Sequence, residues 1–248
     1  MVVSRRRALG TALAVVALVG LAACQPRRAL WSPSAGWAIG AAVVSRDGAD
    51  SYTLTTTDSG LHAEALASNT GGNTRIMVWP KGVTSVTDGE SCASWTGRDG
   101  EIVQQGAVLR VLRQGSRVRA VTVTQNVTFV QWTFNVHTWD TNRTDAPHRL
   151  VGQVVMKDTF FAGGIPPFPW HLCARVVGDV VAFKLWAGDD PEPRWGDRQA
   201  GGSVRLPSGW RFRGQTGWYV GFTAALQLEE VLGLVLAQDL LTVAQLGP

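Results

Sequence analysis

Hydrogen-bonding side chains and an aromatic ring recur along one stretch of the chain, residues 127–139. An extended strand points successive side chains to opposite faces, so every second residue of this stretch shares a face. One face is apolar, and the other carries amide, hydroxyl, imidazole and indole groups, from Gln131, Thr133, Asn135, His137 and Trp139. Amides and imidazoles bind hydroxyl groups, and a flat ring packs against C–H groups. This face is therefore a candidate surface for a polyhydroxylated ligand.

A second set of such side chains lies on a predicted hairpin nearer the C-terminus. Alternation places Arg175 and Trp186 on the face opposite apolar residues such as Phe183. If this hairpin and strand 127–139 are neighbours in one sheet, the two sets converge. The binding site would then consist of Gln131, Asn135, His137, Trp139, Arg175 and Trp186. The alternative is that both polar faces are simply the solvated side of an antiparallel sheet.

The elements that must hold these residues are predicted to be β-strands. Apolar and polar residues alternate from Tyr52 onward, with glycine-containing turns at 114–116 and 178–179 that are typical of hairpins. Residues 224–237 fit either a helix or a strand followed by a turn. The pattern predicts strands at 52–57, 61–67, 75–79, 106–113, 117–124, 127–139, 172–177, 180–186, 217–222 and 239–244.

Many short strands with turn residues between them predict an all-β fold, a two-sheet antiparallel sandwich. Residues 51–248 are enough for one such domain. Residues 24–50 contain loop-forming prolines and glycines and are expected to be a tether, preceded by a signal peptide at 1–23.

The predicted hairpin also resembles a known family. Between Leu172 and Trp186 an arginine-containing strand, a Gly-Asp turn and a strand that ends in tryptophan follow one another, and segments 191–195 and 217–221 continue the pattern. This resembles concanavalin A-like sandwiches of the laminin G and glucanase type, over residues 120–245. The resemblance implies a jelly roll whose concave sheet binds ligand. It does not imply an activity, because the fold hosts lectins, glycosidases, lyases and protein-binding modules.

Catalysis is not expected, and no catalytic residue is assigned. The glucanase branch of the resembled family carries a Glu-x-Asp-x-x-Glu strand, and that spacing does not occur in this sequence. The acidic cluster at 189–192 lies in a proline-containing stretch typical of a turn. The candidates for a lyase-like set are His137, Arg175 and Tyr219.

The sequence contains no strong metal-binding pattern. Its four histidines lack ligand spacing, and there is no Cys-x-x-Cys. Calcium is common in the resembled fold, and Asp140, Asn142 and Asp145 form an oxygen-rich segment that is also typical of a plain turn. We therefore expect no cofactor, with calcium at this segment as the alternative.

The N-terminus predicts where the chain resides. Arginines at 5–7 precede an uncharged apolar run at 8–23, which is the pattern of a signal peptide and is too short to span a bilayer. The run ends in Leu-Ala-Ala-Cys24, which resembles the bacterial lipobox. The resemblance implies acylation of Cys24 and a lipid anchor on the extracytoplasmic face of the cell membrane. The arginines also resemble a twin-arginine motif, so the export route stays open.

Two cysteines remain once Cys24 carries lipid. In an oxidising compartment we expect Cys92 and Cys173 to pair as a disulfide, with two buried free thiols as the alternative.

The distribution of charge argues against nucleic acid as a partner. The chain has 23 basic and 19 acidic residues, and loss of the three arginines before Cys24 leaves a nearly neutral mature chain without a basic cluster.

The preferred hypothesis is a membrane-anchored, non-catalytic module that binds a glycan or another envelope ligand. The alternatives are a carbohydrate-active enzyme, hydrolase or lyase, on the same fold, and a structural envelope lipoprotein without a small ligand.

Overall fold

Two antiparallel β-sheets account for most of the structure, a computed structural model. It describes residues 30–31, 37–45, 52–56, 60–65, 74–96, 104–126, 132–221 and 235–237. No helix in these segments is long and apolar enough to cross a membrane.

The large sheet has seven strands, and each pairs antiparallel with its neighbours. From one edge to the other these are β10 (His148–Val155), β9 (Thr133–Asp140), β8 (Arg117–Asn126), β7 (Gln104–Gln114), β14 (Gln215–Gly221), β5 (Arg75–Pro80) and β2 (Ile39–Ser45).

The small sheet has six strands, and a separate hairpin joins β3 (Tyr52–Thr56) to β4 (Leu61–Ala65). The strands of the small sheet, in spatial order, are β1 (Leu30–Trp31), β15 (Val235–Ala237), β6 (Gly89–Trp95), β11 (Trp170–Val177), β12 (Val180–Ala187) and β13 (Gly201–Arg205).

The core lies between the two sheets, because the apolar half of each strand points to the same side. Val121 and Val136 of the large sheet belong to one buried cluster with Leu172 of the small sheet. The rings of Phe134 and Phe183 stack across the interface with centroids 5.0 Å apart. The protein is therefore all-β, with two antiparallel sheets packed face to face as a sandwich, as the alternation predicted.

Both predicted hairpins are confirmed, and their turns depend on glycine. Gly115 and Gly178 have φ of 62° and 58°, in the left-handed region that glycine adopts without steric cost. The ambiguous segment 224–237 ends in a strand, β15, while the predicted strand 239–244 lies outside the described residues.

The expected strand 127–139 is wrong in its extent. β8 ends at Asn126 and β9 begins at Thr133, with residues 127–131 outside the described part of the chain. Trp132, just before β9, has φ of 51°, which lies outside the extended conformation of a regular strand. Alternation of apolar and polar residues continues across this position, so the pattern did not reveal the interruption.

The boundary at residue 51 is also corrected. Ile39–Ser45 lies inside the expected tether, yet it forms β2 and pairs with β5 at the edge of the large sheet. Its small residues fit a large neighbour, because a Cβ at Gly40 would lie 2.4 Å from the indole Nε1 of Trp79. The sandwich therefore begins before residue 51.

The predicted disulfide is confirmed. Cys92 of β6 and Cys173 of β11 stand opposite each other in the small sheet and are bonded, with 81 residues between them in sequence. The bond closes a long loop, which restricts the unfolded chain.

A buried arginine joins three loops at one end of the sandwich. Arg110 of β7 is 1% exposed, and burial lowers the pKa of its guanidinium. Its Nε donates to the carbonyl of Thr87 at 2.7 Å, Nη1 to that of Trp210 at 2.5 Å, and Nη2 to that of Gly178 at 2.6 Å. The carboxylate of Asp88 lies 3.4 Å from Nη2 and partly balances the charge. Arg110 thus satisfies carbonyls from three separate segments.

We expect Arg110→Met to lower the free energy of unfolding by about 3–5 kcal/mol, because it leaves buried carbonyls without donors and Asp88 without its partner. Arg110→Lys should recover only part of the loss, since an ammonium lacks the planar fork. Arg113→Met, at an exposed position of the same strand, is the matched control. Urea denaturation of the three variants checks this, and equal losses for Arg110→Met and Arg113→Met would contradict it.

Candidate functional site

The six predicted ligand-binding residues do not form one site. Asn135, His137 and Trp139 lie on β9 in the large sheet, whereas Arg175 and Trp186 lie on β11 and β12 in the small sheet. Each set points away from the shared core, so the two sets lie on opposite sides of the sandwich. The expected convergence is wrong because the neighbours of β9 are β8 and β10. Gln131 lies outside the described residues.

On the outer face of the large sheet, Trp139 is a packing residue. It is 1% exposed, and its indole Nε1 donates to the hydroxyl of Thr122 at 2.9 Å. Its ring contacts those of His148 and Tyr219 at centroid distances of 4.8 and 5.8 Å, and the guanidinium of Arg75 lies 5.8 Å from its centroid. The ring therefore supports the polar groups around it and does not present an open stacking face.

Small residues on the central strands allow these long contacts. Tyr219 and Arg75 belong to β14 and β5, and β7 and β8 lie between β14 and β9. Gly106 of β7 stands opposite Tyr219 and Ala120 of β8 stands opposite Trp139, so the positions next to both large rings are small. The large rings of Trp139 and Tyr219 therefore meet above small side chains on the strands β7 and β8 that lie between them.

Neutral polar groups follow the adjoining strands β9 and β10. Asn135 Oδ1 accepts hydrogen bonds from Gln153 Nε2 at 3.0 Å and from Thr133 Oγ1 at 3.1 Å. One step further along the strands, the rings of His137 and His148 meet edge to face with centroids 5.5 Å apart. We call Asn135, His137, His148 and Gln153 the β9–β10 patch.

Both histidines of the β9–β10 patch are uncharged at neutral pH. Burial, followed by the nearby charges of His148 and Arg75, lowers the pKa of His137 to about 4. Burial also lowers the pKa of His148, with smaller contributions from Arg75 and two other arginines. A neutral imidazole has one donor and one acceptor nitrogen, which suits a hydroxyl ligand.

The outer face of the small sheet carries a different set of groups. Ser94 and His171 are opposite each other on β6 and β11, and Oγ lies 2.7 Å from Nδ1. His171 Nε2 lies 3.0 Å from the carbonyl of Gly188, which only accepts, so Nε2 carries the proton and Nδ1 accepts from the serine hydroxyl. The ring of Trp186 stacks on His171 with centroids 5.0 Å apart. Both imidazole nitrogens are therefore satisfied within the protein.

The loop after β12 folds over the rest of this face. Lys184 is 5% exposed, pairs with Glu192 at 2.6 Å and donates to the carbonyl of Pro193 at 2.9 Å. The Trp195 ring contacts two cations, with Arg175 at 4.1 Å and Lys184 at 4.7 Å from its centroid. This loop and its ion pair occupy the surface where Arg175 was expected to meet a ligand.

The alternative chemistries find little support in the geometry. The lyase-like set is divided, because His137 and Tyr219 belong to the large sheet and Arg175 to the small one. In the segment considered for calcium, Asp140 accepts hydrogen bonds from Arg117 at 2.9 and 2.6 Å, and Asp145 pairs with Arg149. The charge of Asp140 is therefore compensated by Arg117, whereas the exposed pair of Asp145 with Arg149 is weak.

One His, Cys, Asp and Glu cluster within the described residues has ligand-like spacing. It consists of Glu90, Cys92 and Cys173, which are all buried. Because the two cysteines form a disulfide, they offer no thiolate to a metal.

Sequence reasoning missed Arg75, His148 and Gln153. His148 and Gln153 belong to β10, an edge strand whose residues are mostly half-buried or exposed, so it lacks the alternation that reveals a strand. Arg75 comes from a strand that is not adjacent to β9, and no local signal connects the two.

No model of a known protein family matches the chain, and no curated protein matches it by sequence. Among solved structures, it is similar to the carbohydrate-binding module CBM66 from Bacillus subtilis, with a TM-score of 0.46 and 14% identity over 77% of this chain and 93% of that one. It is also similar to the VIP36 exoplasmic/lumenal domain in its Ca2+/Man3GlcNAc-bound form, with a TM-score of 0.46 and 9% identity over 78% and 86%.

A third similar structure is a protein of unknown function with a galectin-like fold from Bacillus subtilis, with a TM-score of 0.46 and 7% identity over 82% of this chain and 89% of that one. At identities this low, the ligand of the present chain has to be argued from its own residues.

We expect the protein to lose stability as the pH falls from about 6.5 to about 4. The folded-state pKa of His137 lies below its unfolded value, so the unfolded chain takes up the proton first, and acid favours unfolding by about 3 kcal/mol across this window. Urea denaturation at several pH values measures the effect. His137→Gln should flatten the pH dependence in this window, and an unchanged slope would contradict the assignment.

Proposed function

We propose that the protein is a lipid-anchored, extracytoplasmic carbohydrate-binding module whose ligand lies on the β9–β10 patch. Cys24, outside the described residues, would carry the anchor and hold the sandwich at the membrane surface. The role requires no catalytic group, and the sandwich supplies a rigid surface for binding.

The observation that carries this proposal is the run of neutral hydrogen-bonding groups across β9 and β10. Asn135 and Gln153 supply amides, and His137 and His148 supply imidazoles that stay uncharged at neutral pH. The ring Nδ1 of His148 is buried and has no hydrogen-bond partner among the described residues. Gln153 is exposed and His148 is partly exposed, so the hydroxyl groups of a sugar can reach these two side chains.

The surroundings of the patch also favour this face over the small sheet. Trp139, beneath the histidines, fixes their rings by direct contact. On the small sheet the corresponding groups are already paired, His171 with Ser94 and Lys184 with Glu192. A ligand there would have to break an ion pair and both hydrogen bonds of His171, whereas the hydrogen bonds described within the patch converge on Asn135 Oδ1.

Titration of the full chain in detergent with neutral oligosaccharides, followed by tryptophan fluorescence, tests the proposal. We expect saturable binding that weakens at least about tenfold in His148→Ala and in Gln153→Ala, since each change removes hydroxyl partners. Ser203→Ala, at an exposed position on the outer face of the small sheet, is the matched control and should bind normally.

Two outcomes of that titration would contradict the proposal. Absence of binding to every sugar by the folded protein would exclude the glycan role and favour a structural lipoprotein. Loss of binding in Trp186→Ala, with the patch variants unaffected, would move the site to the small sheet.

The anchor has a separate test. Mass spectrometry of the protein from a bacterial host should show an N-terminal Cys24 bearing two acyl chains, and Cys24→Ala should release the protein from the membrane fraction, because the anchor depends on the thiol. An unmodified cysteine, or a variant that stays in the membrane fraction, would exclude lipidation.

A further inference from the structure

An open groove with arginine side chains lies at the side of the sandwich where the edge strands of the two sheets meet. Here β10 and β13 approach closely, since a Cβ at Gly202 would lie 2.7 Å from Val154 and one at Gly152 would lie 2.8 Å from Val204. Beyond this contact the groove has a volume of about 460 Å³, within the range of small-ligand sites. Its walls include Arg143, Arg149, Arg205, Leu150, Leu206 and Trp210. We call it the arginine groove.

The charge of the arginine groove is strongly one-sided. Three arginines and no acidic residue line it. Arg149 and Arg205 pair with Asp145 and Asp179 at its rim, but all four side chains are at least half exposed, and such ion pairs contribute little. An incoming anion can therefore replace the aspartates at small cost.

Arg143 is the most available cation in the groove. Among the described residues no carboxylate lies within ion-pair distance of it, and its buried Nη1 has no hydrogen-bond partner. Its guanidinium lies 5.5 Å from the centroid of the Trp210 ring, which limits where it can point. A planar guanidinium with free N–H groups is suited to a carboxylate or a phosphate.

The groove also has an apolar lining. Leu150 is 51% exposed, whereas Leu206 and Trp210 are nearly buried, at 4% and 6%. The backbone that carries Trp210 is held by Arg110, which donates to its carbonyl, and by Arg119, which donates to the carbonyl of Gly209 at 2.9 Å. The segment that carries Trp210 is therefore held in place, and Leu150 supplies the exposed apolar surface of the groove.

We propose that the arginine groove binds an acidic saccharide, with the anionic group on Arg143, Arg149 and Arg205 and the C–H face of the sugar against Leu150. An inorganic anion would use only the cations, and a lipid headgroup would not need a concave apolar wall. The arginine groove is a separate site from the β9–β10 patch, and this inference does not depend on the patch.

Isothermal titration calorimetry of the full chain in detergent tests the proposal, with trigalacturonate, its methyl ester, inorganic phosphate and glycerophosphoglycerol as probes. Trigalacturonate should bind, its affinity should fall with added salt, and the uncharged ester should bind at least about tenfold more weakly. Arg143→Gln should lower the affinity for trigalacturonate at least about tenfold. Arg198→Gln, at an exposed position in the loop over the small sheet, is the control and should leave this affinity unchanged.

Several results would overturn the proposal. If the ester bound with the same affinity as the acid, the groove would not recognise the negative charge. If phosphate or glycerophosphoglycerol bound with the same affinity as trigalacturonate, the groove would not recognise the sugar. No binding of trigalacturonate, or full affinity in a folded Arg143→Gln variant, would exclude the site. Gln153→Ala separates the two proposals, because it should weaken neutral glycans and leave trigalacturonate unaffected.

Discussion

The arrangement of the loops at one end of the sandwich depends on one buried guanidinium, that of Arg110. A charge that is taken out of water is stable only when its donors are paired. Arg110 meets this requirement by drawing together the loop before β6, the turn between β11 and β12, and the segment that carries Trp210. The left-handed backbone at Arg110, with φ of 54°, is a local cost that these bonds offset. The same contacts that close this end of the sandwich therefore shape the wall of the arginine groove.

The edge strand β10 connects the two proposed sites. His148 and Gln153 of this strand belong to the β9–β10 patch, while Arg149 and Leu150 line the arginine groove. An edge strand has a neighbour on one side only, so its side chains can serve both a sheet face and the gap between sheets. The two sites differ in their electrostatics: burial lowers the pKa of both histidines of the patch, whereas three guanidinium groups line the groove.

Burial also decides which aromatic residues are available to a ligand. A tryptophan at the end of a strand has the same sequence context whether its ring packs within the protein or contacts a ligand. Trp139 is covered by its neighbours and fixes the histidines, and Trp195, in the loop after β12, lies against two cations. The high tryptophan content therefore reflects packing and cation contacts at these positions rather than a row of open sugar platforms.

Local sequence determined many of the strands, both hairpins and the fold class, but it did not reveal β2, β6, β10 or β13. Alternation and turn glycines act over a few residues, so Gly115 and Gly178 marked their turns correctly, and Cys92 and Cys173 were the remaining cysteines that could pair. Tertiary structure alone decided which strands are neighbours. His137 and Arg175 occupy equivalent positions in their local patterns, yet they lie in different sheets. Pairing between distant strands depends on how the whole core packs, and no short stretch of sequence contains that information.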